Sequence, residues 1–294
     1  MNFYIGGMSK IAFKKIMVGF AFSPNLMANV YESLRMAHYF RGELIFVHVG
    51  SKTPEKESRF NEIVASSMIQ SEKITIEWKV GNPVNTLLKV SEEFNVDLIL
   101  LGALKRENVV KFYLGSIARK ITRRAKCSVL LLINPSVERK PCQHIVVNGF
   151  DSPQTRDTIG AAFMVAKALG AKKISLVEEI SRSKVAVAVD DDRSLRRATL
   201  KKEKLRRQEQ TRVKDVVKNL PAKLTTNINW TTQSIFGRRG YSIGHYAKVV
   251  RADLLVMNAQ ENLSFIDWLI TRDIEHILAE LPTDVLIINS KVDE

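Results

Sequence analysis

The sequence of 294 residues predicts an α/β protein of two tandem doubly wound domains, each a five-stranded parallel sheet flanked by helices. Two observations carry this expectation. Short apolar runs alternate with amphipathic stretches along the chain, the pattern of strands covered on both faces by helices. In addition, the landmarks of the first half return in the second in the same order. Ile16-Met-Val-Gly-Phe-Ala-Phe-Ser-Pro24 is matched by Ile145-Val-Val-Asn-Gly-Phe-Asp-Ser-Pro153, and Val96-Asp-Leu-Ile-Leu-Leu-Gly-Ala103 by Ala252-Asp-Leu-Leu-Val-Met-Asn-Ala259.

In the first copy, Lys15 to Phe20 reads as a buried strand. Ser23-Pro24 then begin a helix, because a serine hydroxyl can accept an orphan N–H at the N-cap and proline suits the first helical position. That helix runs to about Phe40 and stops at Gly42. Leu44 to Val49 is a second buried strand. Phe60, Ile63, Val64 and Met68 recur at helical spacing, and Ile74, Ile76 and Trp78 alternate as a strand. Leu87, Leu88 and Val90 fall on another helix, followed by the strand Asp97 to Leu101. A last helix, about Gly115 to Arg124, leads into the strand Val129 to Ile133, matched at the chain's end by Val285 to Ile288. These last strands are apolar edges that need cover, and they are expected to cover each other within the chain.

The offset between copies is 129 residues at the first strands, 152 between Trp78 and Trp230, and 156 at the Asp-Leu strands. It places 23 extra residues before the second tryptophan and four just after it. The recurrence of Trp78 and Trp230 suggests a shared packing role. The domains are read as 1–137 and 142–294, joined by the linker-like Asn134 to Pro141, with a basic insertion at about 182–218.

The chain is 45% hydrophobic and 26% charged, enough apolar content to bury a core. No apolar run reaches the roughly 20 residues that span a bilayer. The N-terminus does not read as a secretory signal, and Cys127 and Cys142 are no disulfide framework, so a cytoplasmic protein without membrane attachment is expected. The net charge of +14 is concentrated in 193–218, where eleven Lys or Arg face three acidic residues. Such a run is either a helix with a solvated basic face or a contact patch for a polyanion, whose contacts would be Arg196, Arg197, Lys201, Lys202 and Arg206. Few aromatics interleave with these charges, so base stacking, and with it nucleic acid, is not expected.

The strand Asp97 to Leu101 ends in Gly102-Ala-Leu-Lys-Arg-Glu-Asn-Val-Val-Lys-Phe-Tyr-Leu-Gly115-Ser116, and a helix follows. Here the chain resembles the UspA family of universal stress proteins, and the likeness covers nearly the whole chain as two copies. The resemblance implies the fold of adenine-nucleotide alpha-hydrolase-like domains. Nucleotide-binding members carry Gly, two residues, Gly, nine residues, Gly, then Ser or Thr. Gly102 holds the first place, Lys105 replaces the second glycine, and Gly115 and Ser116 complete the spacing.

Glycines let backbone approach phosphate oxygens, and Ser116 and Ile117 at a helix start can present N–H groups to an anion. Lys105 gives up close backbone approach and adds a cation. The alternative reading of the same glycines is a retained structural turn. Gly81-Asn-Pro83 resembles the family's Gly-x-Pro, of which Gly237-Arg-Arg239 keeps only the glycine. The aspartate that ends the first strand in nucleotide-binding members is Ala21 here and Phe150 in the second copy, with Asp151 one residue late. The second copy's equivalents of the glycine loop are Asn258, Glu261, Thr271 and Arg272, so ATP is expected, if anywhere, in the first domain.

No Ser/His/Asp order, carboxylate pair or Walker A sequence is present. The five histidines show no metal-ligand spacing, and Cys127 reads as a small buried residue. The expectation is a stress-response regulatory or scaffold protein without catalytic activity, its two domains paired as a pseudo-dimer, with a protein partner or a further copy of itself. An ATP-binding sensor using the first domain is the alternative, and polyanion binding through the insertion is a third reading.

Overall fold

The computed structural model describes residues 12–69, 73–102, 104–105, 112–185, 188–238, 240–259, 277–278 and 281–289. The chain forms two compact units. One contains Ser9–Pro141 together with Asp284–Glu294, and the other contains Cys142–Thr283. The second unit thus ends before the sequence-derived range of 142–294, because the last strand belongs to the first unit.

In the first unit, β1 (Lys15–Phe20), β2 (Glu43–Val49), β3 (Ile74–Lys79), β4 (Leu98–Gly102) and β7 (Ser128–Leu132) alternate with α1 (Leu26–Phe40), α2 (Pro54–Ser66), α3 (Pro83–Glu93) and α4 (Ser116–Arg124). A short antiparallel pair, β5 (Leu104–Lys105) and β6 (Phe112–Tyr113), precedes α4. The five long strands are parallel in the order β3-β2-β1-β4-β7. β12 (Asp284–Ile288) pairs antiparallel with β7, placing Val285 opposite Leu131 and Ile287 opposite Val129. Every residue of β7 is buried, whereas every residue of the edge strand β3 is half-buried.

The second unit holds β8 (His144–Asn148), α5 (Thr155–Leu169), β9 (Lys173–Ser181), α6 (Arg182–Val185), α7 (Asp192–Lys218), α8 (Ala222–Thr225), β10 (Asn229–Gly237), α9 (Tyr241–Val249) and β11 (Leu254–Asn258). Its strands are parallel in the order β10-β9-β8-β11, which repeats β3-β2-β1-β4. Strand order reverses beside β1 and beside β8, where sheets of this kind offer a crevice at the carboxyl ends.

The repeated Asp-Leu landmark has a common physical cause. The Asp97 carboxylate accepts the backbone N–H groups of Lys14 and Lys15, each at 3.0 Å. Asp253 accepts those of Gln143 and His144 at 2.8 and 2.9 Å. Each aspartate therefore ties the start of its own strand to the start of the neighbouring central strand, and satisfies two donors that would otherwise lack partners.

Three local expectations are corrected. Ser23-Pro24 form a turn in which the Leu26 N–H donates to the Ser23 carbonyl at 3.1 Å, and α1 starts at Leu26 behind Asn25, without a side-chain cap. Met68 lies beyond α2, almost fully exposed and at φ 51°, so its helical spacing to Phe60 is a coincidence of a short window. The two tryptophans are not equivalent. Trp78 pairs with His48 near the end of its strand, while Trp230 pairs with Ile174 near the start of its own. Ser234, opposite Glu178, occupies the place of Trp78. The offset there is already 156, so all the extra residues precede β10 and none follows it.

Gly42 needs no side chain for a simple reason: a Cβ there would lie 2.6 Å from the Phe13 carbonyl oxygen. The left-handed residue ending α1 is Arg41, at φ 51°. α7 opens on a capping box that the basic composition hid. The Ser194 N–H donates to Asp191 Oδ1 at 2.7 Å, and Ser194 Oγ accepts from the Asp191 N–H at 3.0 Å.

Candidate functional site

In the first unit the motif residues lie at the end of β4 and the start of α4. Gly102 closes β4, and a Cβ there would approach Asn29 Oδ1 to 2.8 Å, so the glycine admits the α1 side chain over the strand end. Lys105 sits in β5, paired through the backbone with Phe112. Lys111 and the rest of 106–111 lie outside the described residues.

Gly115 is the N-cap of α4 at φ −59°, a conformation open to any residue, and makes no side-chain cap. The first helical bond runs from the Arg119 N–H to the Gly115 carbonyl at 2.9 Å. The N–H groups of Ser116, Ile117 and Ala118 thus have no acceptor within the helix. Ser116 and Ile117 are exposed. This is a helix start able to receive an anion, with the dipole favouring negative charge.

Gly81-Asn-Pro83 has its own structural account. Gly81 sits at φ 135°, and Asn82 Oδ1 accepts the Val84 and Asn85 N–H groups at 3.1 and 3.2 Å while Pro83 takes the first turn of α3. Left-handed backbone requires the glycine, and the Asn-Pro pair caps the helix.

The ends of β1, β2 and β3 are occupied by rings. Phe20 lies 4.5 Å from Phe60 and 5.3 Å from His48, between centroids. Phe22 lies 5.2 Å from His48 and 6.2 Å from Trp78. The His48 Nδ1 and the Phe20 carbonyl oxygen are 3.2 Å apart. Lys56 and Arg59 stand over the Phe22 ring, each 5.9 Å from its centroid. Ala21 is exposed and offers no polar atom beyond its backbone.

The equivalent strand ends of the second unit are polar. Glu178, in the place of His48, is 1% exposed, and its Oε2 accepts Ser234 Oγ at 2.9 Å. Its other oxygen has no hydrogen-bond partner among the described residues. Burial pushes this carboxyl above the ordinary carboxylate range, against the lowering effects of Ser234 and Arg212. Arg212 of α7 donates to the Gly149 carbonyl at 2.5 Å and pairs with Glu209 at 2.8 Å and Asp151 at 3.6 Å.

The adjacent Glu179 accepts the Gly240 and Ile243 N–H groups at 2.9 and 2.8 Å, so the start of α9 is already bound by a carboxylate of its own chain. Neither glutamate was singled out in the sequence. The signal is present, however: two acids inside the apolar run Ile174 to Ile180.

Asn258 donates to Ser152 Oγ at 3.3 Å, while Glu261, Thr271 and Arg272 lie outside the described residues. Of the insertion's cations, Arg196, Arg197, Lys201 and Lys202 are exposed on α7, and Arg206 is half-buried and paired with Glu203 at 3.1 Å. His144 is buried against Ser175 at 2.9 Å, and burial holds its pKa below the ordinary value. Cys127 is buried and Cys142 half-buried. Among the described residues no cluster of His, Cys, Asp or Glu could hold a metal ion, and no helix is long and apolar enough to cross a membrane.

Residues 52–132 match the family model described as the universal stress protein family. A universal stress protein of Methanocaldococcus jannaschii is 32% identical over 66 residues, which is 22% of this chain and 39% of that protein. One of Synechocystis sp. is 25% identical over 92 residues, 31% of this chain and 58% of that protein. The chain thus spans 39% and 58% of these two relatives. A solved universal stress protein from Archaeoglobus fulgidus superposes with a TM-score of 0.63 at 15% identity, over 97% of this chain and all of that one. That likeness shows the fold, and the family-model match lies within the first unit.

Proposed function

We propose that this chain, of universal stress protein type in sequence and fold, is a regulatory or scaffold protein of the stress response without catalytic activity. In this reading it works in the cytoplasm, its two domains acting as an internal pseudo-dimer. The supporting observation is that the chain's own side chains occupy strand ends and a helix start that could otherwise face a ligand. Rings close the ends of β1, β2 and β3, and Glu179 occupies the start of α9. Pairing of the domains is supported by β12, the last strand of the second copy, which lies antiparallel on β7 in the first unit.

The uncapped start of α4, with Ser116 and Ile117 exposed, supports a second reading, an ATP sensor using the first domain. There Gly102 and Gly115 would admit the phosphates and Lys105 would add a cation. Calorimetric titration of the nucleotide-stripped protein with ATP, repeated on Ser116→Ala, separates the two readings. One-site binding weakened at least tenfold in the variant would establish the sensor and locate its ligand. No heat from either protein supports the scaffold, and steady ATP turnover above a protein-free blank would end the non-catalytic reading.

A further inference from the structure

The insertion's charges are sorted by the helix that carries them. α7 is 27 residues long, about 40 Å at 1.5 Å per residue. Its buried residues are Ala198, Val213 and Val217, which lie on one side of the helix. On the opposite side lie Arg193, Arg197, Lys204, Arg207, Lys214 and Lys218, all exposed and separated by three, four or seven positions. Those separations keep them on one face, which also carries Leu200, Thr211 and, near its C-terminal end, Asp215.

Five of the six carry no ion pair among the described residues, and Lys218 reaches Asp215 at 3.5 Å. The segment's other two acids, Glu203 and Glu209, pair with Arg206 and Arg212, which are half-buried. The face therefore presents an almost uncompensated row of positive charge along the helix.

The row's chemistry selects its partner. An anionic membrane surface is held by basic helices that also present an apolar stripe, and the exposed leucines Leu195 and Leu200 fall on different faces of α7. An acidic protein helix would need an apolar seam beside the charges, and none borders this row. A nucleic acid duplex needs only cations at regular intervals along a straight edge. The scarcity of aromatics argues against base stacking and leaves phosphate contact untouched. We propose that the solvent face of α7 is a docking surface for the phosphate backbone of a nucleic acid duplex, bound without regard to base sequence. This goes beyond the scaffold reading and does not require a nucleotide in the first domain.

The test is fluorescence anisotropy of the full chain with a labelled 20-base-pair DNA duplex of arbitrary sequence, between 50 and 200 mM salt. The comparison is with a variant carrying R193Q, R197Q, K204Q, R207Q and K214Q, and with a control carrying K52Q, K73Q, K89Q, K126Q and K140Q. Glutamine keeps helix propensity, and circular dichroism verifies that α7 persists in the first variant. For about five phosphate contacts, affinity should fall about 500-fold across that salt range. The α7 variant should lose most of both the affinity and the salt slope, while the control, with the same net charge, keeps them.

Absence of duplex binding at 50 mM salt, or equal loss in the control, overturns the proposal. So does tighter binding to phosphatidylserine vesicles than to the duplex at matched salt. The ATP titration is a separate measurement, so failure here leaves the scaffold and sensor readings as they stand.

Discussion

The ends of β1, β2 and β3 in the first unit and of β8, β9 and β10 in the second are the same place in a repeated architecture, filled by opposite chemistry. In the first, Phe20, Phe22, His48, Phe60 and Trp78 pack ring against ring under α2. In the second, Glu178, Ser234 and Arg212 hold the equivalent ground under α7, with Asp151 and Glu209 at its border. The difference follows the covering helix. α2 sends Phe60 into the cluster, so the sheet beneath it is aromatic. α7 brings Arg212, whose guanidinium must find acceptors when it is drawn under the helix, and the Gly149 carbonyl, Asp151 and Glu209 of α7 itself supply them. The strand order is the same in both units under this change, and so is the tie at the strand starts made by Asp97 and Asp253.

The largest effect should come from breaking the aromatic side of the comparison. Phe60 is fully buried, and Phe60→Ala should cost about 3–5 kcal/mol in urea unfolding. A loss under about 1 kcal/mol would mean that the rings do not anchor α2.

Asp97→Ala and Asp253→Ala test what the units share. Each removes the acceptor of two backbone N–H groups and should cost about 2 kcal/mol, by the same mechanism in both. Unequal costs, with one variant near zero, would break the equivalence of the two halves at their common tie.

The polar side should show itself through pH. Burial raises the folded-state value of Glu178 above the 4.5 of the unfolded chain, so folding favours its protonated form. Its contribution is therefore complete below 4.5 and is lost as pH rises through the raised folded-state value. In Glu178→Gln the urea midpoint should be flatter over that range than in the parent protein. Identical pH profiles for the two would show that the carboxyl is already ionised in place. The smallest effect belongs to Ser116→Ala, which removes no cap and should leave stability within about 0.5 kcal/mol. A larger loss would make Ser116 a structural residue and remove it from any ligand test.

Part of the candidate site is legible in the sequence. Gly102, Gly115 and Ser116 follow from the resemblance to the family's motif, and they stand at a strand end and a helix start because glycine punctuation and apolar runs are local signals. Gly81-Asn-Pro83 was legible as a motif but not as a cap, since a capping bond depends on dihedral angles that composition does not carry. The tryptophan pairing misled for a related reason. A strand's register is set by its neighbours' hydrogen bonds, and two similar tripeptides can sit four positions apart in it.

By itself the sequence determined the duplication, the alternation of strands and helices, the insertion and its charge, because each of these is written in periodicity and order along the chain. Only the tertiary structure decided that Glu178 is buried with one oxygen unpaired among the described residues, that Glu179 holds the start of α9, and that β12 pairs with β7 in the first unit. Those facts depend on which residues meet across long separations in sequence. Such meetings are fixed by packing and by the need to satisfy buried polar groups, for which no local pattern stands in.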